Sequence, residues 1–391
     1  MWTSPFKLTY RPALDGLRGI AIIGVFAHHA QVPFLAGGFI GVDVFFVLSG
    51  FLITALLLQE AEETRRISLR AFYIRRALRL LPALAVLLGA LLLVPRAFGM
   101  MRTDAALVST VSALYASNWV RAFGVLDLEV LSHTWSLSIE EQFYLLWPPV
   151  VAVAVALGLR RRWLMLVALA GIAGATIARS VLWTTDESWR RLYNGLDTRI
   201  DTLLIGALAA LVFASLPSVG VLRGRAFRAI ALAAALVLGA AMHIGRIDAP
   251  AMYFGVGALV SLCAALVVIG AVATDGGIGS LLAFGPLVWI GRISYGLYLW
   301  HYPVVVGLFD SHRLARLGVA PAWWIPMQIG ASLALATASF YLLERPVLRL
   351  KARFGSRVAG HPESRSARAH DYRPVPLSAI GARIGPVSDS R

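Results

Sequence analysis

Apolar stretches long enough to cross a membrane recur throughout this chain. A bilayer hydrocarbon core of ~30 Å requires about 20 mainly apolar residues in helical conformation. Windows of that length predict about ten spans, at residues 15–34, 38–59, 77–98, 138–159, 163–184, 201–217, 228–246, 252–273, 287–309 and 323–344. Hydrophobic residues make up 58% of the sequence and charged residues 15%, which is unlike a soluble domain. The sequence therefore predicts an all-α, polytopic membrane bundle of about ten transmembrane helices.

The positions of the basic residues predict how the bundle is oriented. Short cytoplasmic loops of membrane proteins collect Arg and Lys, whereas outer loops usually do not. Basic clusters follow the second, fourth, sixth and tenth predicted spans, within residues 65–76, 160–162, 223–228 and 345–353. All four clusters fall on one side of the predicted bundle. This pattern predicts a multi-pass protein of the cell membrane, in contact with the lipid bilayer, with both termini in the cytoplasm.

Two segments depart from the apolar pattern. Residues 104–123 are long enough to cross but contain Ser, Thr and Asn throughout. Counting this segment as a span would invert every later basic cluster, so we interpret it as a re-entrant or interfacial element. Residues after 350 lack periodic apolar positions. The sequence thus predicts a transmembrane domain at 1–350 and a basic, disordered cytoplasmic tail at 351–391.

Ionisable side chains occur inside the first two spans, where charge is costly and usually functional. Arg18 and His29 lie eleven residues apart, which is about 16 Å along a helix and close to three turns, so they share one helix face. A membrane histidine can also be a hydrogen-bonded packing residue. In the second span, Asp43 could cap the helix start or orient His29 through a ring nitrogen.

Three arginines, Arg75, Arg76 and Arg79, precede Pro82 at the cytoplasmic entrance of the third span. Arg76 and Arg79 are three residues apart and point to one side of a helix. Guanidinium groups offer a planar fork of donors that suits phosphate. Ordinary anchoring by positive residues on the cytoplasmic side explains part of this charge.

The segment 133–150 is the richest in polar chemistry. Ser138 and Glu141 fit the S-x-x-E capping box, which opens a helix. This assignment leaves Glu140 without a structural role. Glu140 and Tyr144 are four residues apart and share a helix face, so a buried carboxylate there suits acid and base chemistry. His133 precedes the helix and is expected at the membrane interface.

Seven motifs, taken in order, resemble the acyltransferase-3 family of membrane acyltransferases. They are R-x10-H at Arg18 and His29, GVDVFFVLSGFLI at 41–53, RR-x2-R-x2-P at 75–82, WSLSIEEQFYLLWP at 135–148, TRIDTLLIGALAA at 198–210, ISYGLYLWHYPV at 293–304 and SFYLLERPV at 339–347. The likeness to the family extends over roughly residues 8–350. Some family members append an esterase-like domain after the last helix, and this chain is expected to be of the stand-alone form.

The resemblance implies an enzyme that takes an acyl group, commonly acetyl, from acyl-CoA and transfers it to a hydroxyl group. Acceptors in similar proteins include surface polysaccharides, lipopolysaccharide sugars, peptidoglycan, glycolipids and macrolide-type natural products. The resemblance also implies essential roles for His29 and Arg18 and marks the pair Arg76 and Arg79. We expect a carbohydrate or glycolipid acceptor and no nucleic-acid partner. The residues carry no signal for an oligomeric state.

These observations predict a site in which acyl-CoA is the co-substrate. Its phosphates are expected to meet Arg76 and Arg79, together with Arg75, while Arg18 holds phosphate or the pantetheine arm. His29 is expected to be the base, or to carry the acyl group transiently, and Asp43 or Glu140 to orient it. The single cysteine, Cys263, offers no thiolate metal site, and no metal is expected.

Further polar residues are candidates for the acceptor site. Tyr144 shares the face of Glu140, while Arg199 and Asp201 begin the sixth span and either contact the acceptor or pair with other helices. His301 either assists the transfer or packs in its aromatic surroundings. A secondary transporter of a small anionic solute is the alternative function, but transporters often show internal repeats. No such halves are visible in this sequence.

Overall fold

The computed structural model describes residues 9–184, 188–273 and 276–350. The predicted tail at 351–391 lies outside the described residues. Regular structure within these ranges is entirely helical, as predicted. The α-helices are α1 (Pro12–His29), α2 (Gly41–Thr64), α3 (Leu69–Leu93), α4 (Arg102–Ala113), α5 (Ser117–Ala122), α6 (Thr134–Ala156), α7 (Arg161–Thr184), α8 (Trp189–Asn194), α9 (Leu196–Ser215), α10 (Arg225–Ile244), α11 (Gly257–Ala273), α12 (Ile278–Leu282), α13 (Gly285–Arg292), α14 (Ser294–Pro303), α15 (Ser311–Arg316), α16 (Trp324–Ala338) and α17 (Arg345–Arg349).

Shorter helical turns join or extend these helices. The 3₁₀ turns are Ala36–Ile40, Pro95–Phe98, Glu129–Leu131, Val219–Arg223 and Pro321–Trp323, and the π turns are Met252–Val256, Val304–Leu308 and Ser339–Glu344. Several of them are continuous with a long helix, so that a span can be longer than its α-helical part.

Seven helical segments of the described chain are long and apolar enough to cross a membrane. They are Ala36–Thr64, Leu69–Leu93, Arg161–Thr184, Leu196–Ser215, Arg225–Ile244, Met252–Ala273 and Pro321–Arg349. Three of the ten predicted spans have no counterpart among these seven segments. Two of them correspond to α1 and α6, which carry ionisable side chains, and the third is divided into α13 and α14. A membrane bundle of helices is therefore confirmed, and the total of ten spans stays a prediction.

The ninth predicted span, 287–309, is not one continuous helix. It is divided at Ile293, where the backbone leaves helical geometry (φ −90°, ψ 4°). The break separates α13 from α14 and brings Ser294 to the side chain of Arg18, whose Nε donates to Ser294 Oγ at 3.2 Å. The predicted continuous helix is therefore wrong, and the break itself helps to build the site.

Close helix contacts fix α1 against α13. A Cβ atom added at Gly291 would lie 1.7 Å from the carbonyl oxygen of Asp15, so only glycine allows this approach. Small residues let neighbouring backbones approach in this way inside membranes. The same holds for Gly50 of α2, where an added Cβ would lie 1.9 Å from the Leu203 carbonyl oxygen of α9. Helices α1, α2, α9 and α13 are thereby held at fixed separations.

The polar segment 104–123 forms two short helices rather than one span. At 1.5 Å per residue, α4 is about 18 Å long and α5 about 9 Å, both shorter than a bilayer core of ~30 Å. Between them Tyr115 adopts a left-handed conformation (φ 52°). Gln142 of α6 donates to the Tyr115 carbonyl and to Asn118 Oδ1, each at 2.9 Å. This side chain satisfies irregular backbone inside the protein, as the re-entrant or interfacial interpretation requires.

Both helix-capping expectations are wrong. Helix α6 begins at Thr134, one turn before the predicted capping box, and Ser138 Oγ donates back to the Thr134 carbonyl at 3.1 Å. Glu141 bonds to Arg76 instead of its own backbone. Helix α2 continues from a 3₁₀ turn and has no side-chain cap, so Asp43 does not cap it.

Candidate active site

A cavity of about 140 Å³ lies between α1, α2, α3, α6 and α14, and we call it the arginine cavity. Residues of α2 from Val42 to Leu56 line it, a span of about 21 Å along the helix axis. Its lining residues are Arg18, Val42, Phe45, Phe46, Leu48, Ser49, Leu52, Ile53, Leu56, Arg76, Arg79, Leu80, Ser136, Leu137, Glu140, Tyr144, Ser294, Tyr295 and Tyr298. One long, mainly apolar chamber thus carries three guanidinium groups.

The three arginines of the cavity differ in how far their charge is balanced. Arg76 donates from Nε to Glu141 at 3.0 Å, lies 3.7 Å from a Glu140 oxygen, and stacks 3.8 Å from the ring centre of Tyr144. Among the described residues, neither Arg18 nor Arg79 has a carboxylate oxygen within 4 Å. The cavity therefore holds two cationic groups suited to an anionic ligand.

Polar groups on α2 and α6 face the same cavity. Ser49 Oγ donates to Glu140 Oε1 at 2.7 Å. The buried hydroxyl of Tyr144 has no hydrogen-bond partner among the described residues. Such a group is costly to leave unsatisfied, so it is available to a bound ligand. Arg75, by contrast, turns toward Glu60 at 3.4 Å and does not line the cavity.

A second group, which we call the histidine cluster, consists of His29, His133 and His301. Nδ1 of His301 lies 2.6 Å from the Tyr298 carbonyl oxygen, and Nε2 of His301 lies 3.1 Å from Nδ1 of His29. A carbonyl can only accept, so His301 carries its proton on Nδ1, and its Nε2 accepts from His29. In a neutral His29 this hydrogen bond leaves the lone pair on Nε2. The hydrogen bond thus fixes the ring orientation of His29 and directs its free nitrogen.

Aromatic rings surround the histidine cluster. Tyr302 packs its ring against His29 at 4.8 Å between centroids and stacks on His133 at 5.2 Å. His133 is 2% exposed, and neither of its ring nitrogens has a hydrogen-bond partner among the described residues. The ring is therefore enclosed by protein, and its position at the membrane interface stays a prediction.

One tyrosine separates the histidine cluster from the arginine cavity. Tyr298 lines the cavity, and its ring centroid lies 5.4 Å from that of His301. Its hydroxyl is tied to Ser136 Oγ at 2.5 Å and donates to the His133 carbonyl at 2.9 Å. Arg18 faces the cavity, while His29, on the same helix, belongs to the cluster. Helix α1 therefore contributes one residue to each group.

Comparison with known proteins identifies the family. A family model described as an acyltransferase domain matches residues 11–343. This chain belongs to the acyltransferase-3 family. It is 34% identical over 358 residues to a putative peptidoglycan O-acetyltransferase, YrhL, of Bacillus subtilis, covering 86% of this chain and 55% of that protein. It is 33% identical over 352 residues to the O-acetyltransferase OatA of Staphylococcus aureus, covering 86% of this chain and 57% of that protein.

The chain spans little more than half the length of these curated relatives. No solved structure matches it.

The remaining predicted site residues of this family member form ion pairs away from the arginine cavity. Arg199 donates to Asp43 Oδ1 at 2.7 Å, and Arg179 lies 2.8 Å from Asp201 Oδ2. Neither Asp43 nor Glu140 bonds to His29, so we correct the expectation that one of them orients it. The side chain hydrogen-bonded to His29 is that of His301, for which the sequence left a packing role open.

Three residues of the candidate site were not predicted from the sequence, namely Ser49 and Tyr298, which line the arginine cavity, and Tyr302, which packs on His29. Tyr298, His301 and Tyr302 are spaced i, i+3 and i+4, which places them on one face of α14. That spacing was visible in the sequence. Within the described ranges, no group of three or more His, Cys, Asp or Glu side chains is arranged to hold a metal ion.

Proposed function

We propose that this chain transfers an acyl group, acetyl in the first instance, from acyl-CoA to a hydroxyl of a carbohydrate-containing acceptor of the cell envelope. The observation that carries the proposal is the arginine cavity, which runs along α2 toward the histidine cluster. The family and the O-acetyltransferase names of its relatives support it. The basic loops support a cell-membrane protein whose termini and arginine cavity entrance face the cytoplasm.

The donor is assigned to the arginine cavity on the basis of charge. CoA is a polyanion, and Arg18 and Arg79 are the two cavity arginines without a carboxylate within 4 Å among the described residues. Arg76 is balanced by Glu140 and Glu141, so its role is to hold α3 and α6 together and to support Tyr144. The apolar wall formed by α2 suits the pantetheine arm and the acyl group.

His29 is proposed as the group that activates the acceptor. Its Nε2 takes the proton of the acceptor hydroxyl while the hydroxyl oxygen bonds to the acyl carbon. The carbon–sulfur bond of the thioester then breaks, and the CoA thiolate leaves and takes up a proton. In the two-step form of the same reaction, Nε2 bonds to the acyl carbon as the carbon–sulfur bond breaks and the CoA thiolate leaves. The acceptor oxygen then bonds to the acyl carbon as the bond to Nε2 breaks, and the freed Nε2 takes up the hydroxyl proton.

The proposal is tested with the full chain, purified in detergent and supplied with acetyl-CoA labelled in the acetyl group. Loss of thioester and appearance of label on a soluble glycan fragment support the transfer, and label retained on the protein supports the two-step form. Uptake of an anion into vesicles without any loss of thioester would instead support the transporter. Failure to consume acetyl-CoA with and without glycan would overturn the proposed donor.

Arg79→Met is expected to weaken acyl-CoA binding by about 10- to 100-fold. The reason is the loss of charge-assisted hydrogen bonds to phosphate, which contribute roughly 1.5–3 kcal/mol. The measurement is the dissociation constant of acyl-CoA for the purified protein. The matched control is Arg70→Met, an exposed arginine of the same helix that does not line the cavity. Equal affinity in the two variants would contradict the assignment of Arg79.

His301→Leu is expected to lower kcat by about 10²-fold and to leave the KM for acyl-CoA within twofold, since His301 orients the base rather than the donor. His301→Gln offers an amide oxygen that can accept from Nδ1 of His29, so it should retain several times more activity than His301→Leu. The kcat and the KM for acyl-CoA of each variant are measured from steady-state transfer to a soluble glycan. Equal kcat in the two variants would argue that His301 only fills space.

A further inference from the structure

A second cavity, of about 330 Å³, opens at the end of the bundle where α1 and α14 end and α6 begins. We call it the polar cleft. Its lining residues are Phe98, Gly99, Asp127, Glu129, Val130, Ser132, Tyr302, Val306, Gly307, Asp310, Arg313 and Arg316. Helix α3 brings Arg76 and Arg79 into the arginine cavity early in its course and ends next to the polar cleft. The two cavities therefore lie toward opposite ends of the bundle.

The walls of the polar cleft are held in place by hydrogen bonds. Asp310 caps α15 by accepting from the backbone N–H groups of His312 and Arg313, at 3.0 and 3.2 Å. The guanidinium of Arg313 donates to the carbonyl oxygens of Arg96 and Ala97 in the turn after α3. The cleft is thus preformed by contacts between segments that are distant in the sequence.

Glu129 has an unusual backbone for a non-glycine residue. Its φ is +45°, in the left-handed region, and its backbone N–H donates to Asp127 Oδ1 at 2.9 Å. Such a conformation is costly and persists only where surrounding contacts determine it. The result is an exposed carboxylate held over the cleft, next to that of Asp127.

Tyr302 connects the polar cleft to the proposed reaction centre. Its side chain lines the cleft, and its ring packs on that of His29 at 4.8 Å, nearly perpendicular at 83°. His29 is half-buried, and no hydrogen bond from a described residue engages its Nε2. A single aromatic ring therefore separates the cleft from His29.

The charge of the polar cleft excludes the donor and suits a polyhydroxylated ligand. The cleft is lined by three carboxylates and two guanidinium groups, namely Asp127, Glu129, Asp310, Arg313 and Arg316. A polyanion such as CoA would meet more negative than positive groups. Carboxylates accept from sugar hydroxyls and guanidinium groups donate to sugar oxygens, while a tyrosine ring packs on the apolar face of a sugar.

We propose that the polar cleft binds the carbohydrate acceptor and presents one of its hydroxyls to Nε2 of His29 beside Tyr302. Donor and acceptor then reach the histidine cluster from opposite ends of the bundle, past Tyr298 and Tyr302 respectively. This inference rests on the proposed function, because it assigns the acceptor of the same reaction.

The test uses the full purified chain, acetyl-CoA and a soluble oligosaccharide of β-1,4-linked N-acetylglucosamine. Glu129→Gln and Asp127→Asn are expected to raise the KM for the oligosaccharide about tenfold each, the effect of losing one hydrogen bond to a charged group. The KM for acetyl-CoA should change less than twofold. The matched control is Asp248→Asn, an exposed carboxylate of another loop that does not line the cleft. Oligosaccharide KM values equal to the control would overturn the inference.

A direct measurement of oligosaccharide binding tests the polar cleft independently of the proposed reaction. If wild-type protein consumes no acetyl-CoA, the proposed function fails, and titration calorimetry with the same oligosaccharide still tests the cleft. Binding that Glu129→Gln weakens about tenfold and Asp248→Asn leaves intact would support the cleft as a carbohydrate site. Absence of binding to the wild-type chain would overturn it. Unchanged elution of each variant on gel filtration shows that the fold is retained, as expected for exposed side chains.

Discussion

His29→Ala is expected to lower acetyl transfer at least 10³-fold while the protein remains folded and inserted. Nδ1 of His29 donates to Nε2 of His301 at 3.1 Å, which leaves Nε2 of His29 to take the acceptor proton. Proton transfer by a positioned base contributes about 10²–10⁴-fold, and the two-step form loses its acyl carrier as well. The measurement is label transferred from acetyl-CoA to a soluble glycan.

The neighbouring histidine provides a matched control for His29. His28 lies on the same helix, but its Nδ1 bonds to the Ala36 carbonyl at 2.7 Å rather than to the histidine cluster. His28→Ala should therefore lower turnover less than tenfold. A His29→Ala protein that keeps more than a tenth of wild-type transfer would remove this residue from the centre of the mechanism.

The Arg18 and His29 pair could be predicted because its spacing is a local property of one helix. Eleven residues fix both the shared face and the separation along the axis, and the structure places the two side chains at two connected sites. The partner of His29 could not be predicted in the same way. His301 is 272 residues away in the chain, and it lies in a segment whose break at Ile293 is not visible in hydropathy.

Helix boundaries also depend on contacts between helices, which the local sequence pattern does not reveal. The sequence predicts that the third span begins at 77, but α3 begins at Leu69, because the residues between them include three arginines that an apolar window rejects. These turns are stabilised by ion pairs with α2 and α6, through Glu60, Glu140 and Glu141. The capping box at Ser138 failed for a related reason, since Glu141 finds its partner on α3.

Removing one partner of the Asp43 and Arg199 pair is expected to destabilise the fold by about 3–5 kcal/mol. Asp43 is fully buried and Arg199 is 6% exposed, and they join α2 to α9 at 2.7 Å. Asp43→Leu leaves a buried guanidinium, and Arg199→Leu leaves a buried carboxylate, in surroundings where charge is costly. Each single variant should lose monomeric protein at a lower temperature than wild type, measured by gel filtration after heating in detergent.

The double variant Asp43→Leu with Arg199→Leu shows whether this ion pair has a structural role or acts on the substrate. Replacing both partners of a buried ion pair by apolar residues is often neutral or stabilising, so the double variant should recover most of the stability lost in either single variant. Neither residue lines the arginine cavity or the polar cleft, and transfer should recover together with stability. Recovered stability with transfer still below a hundredth of wild type would assign the pair a role at the site, as the sequence suggested for Asp43 and Arg199. Stability that stays low in the double variant would show that packing, not charge, holds α2 against α9.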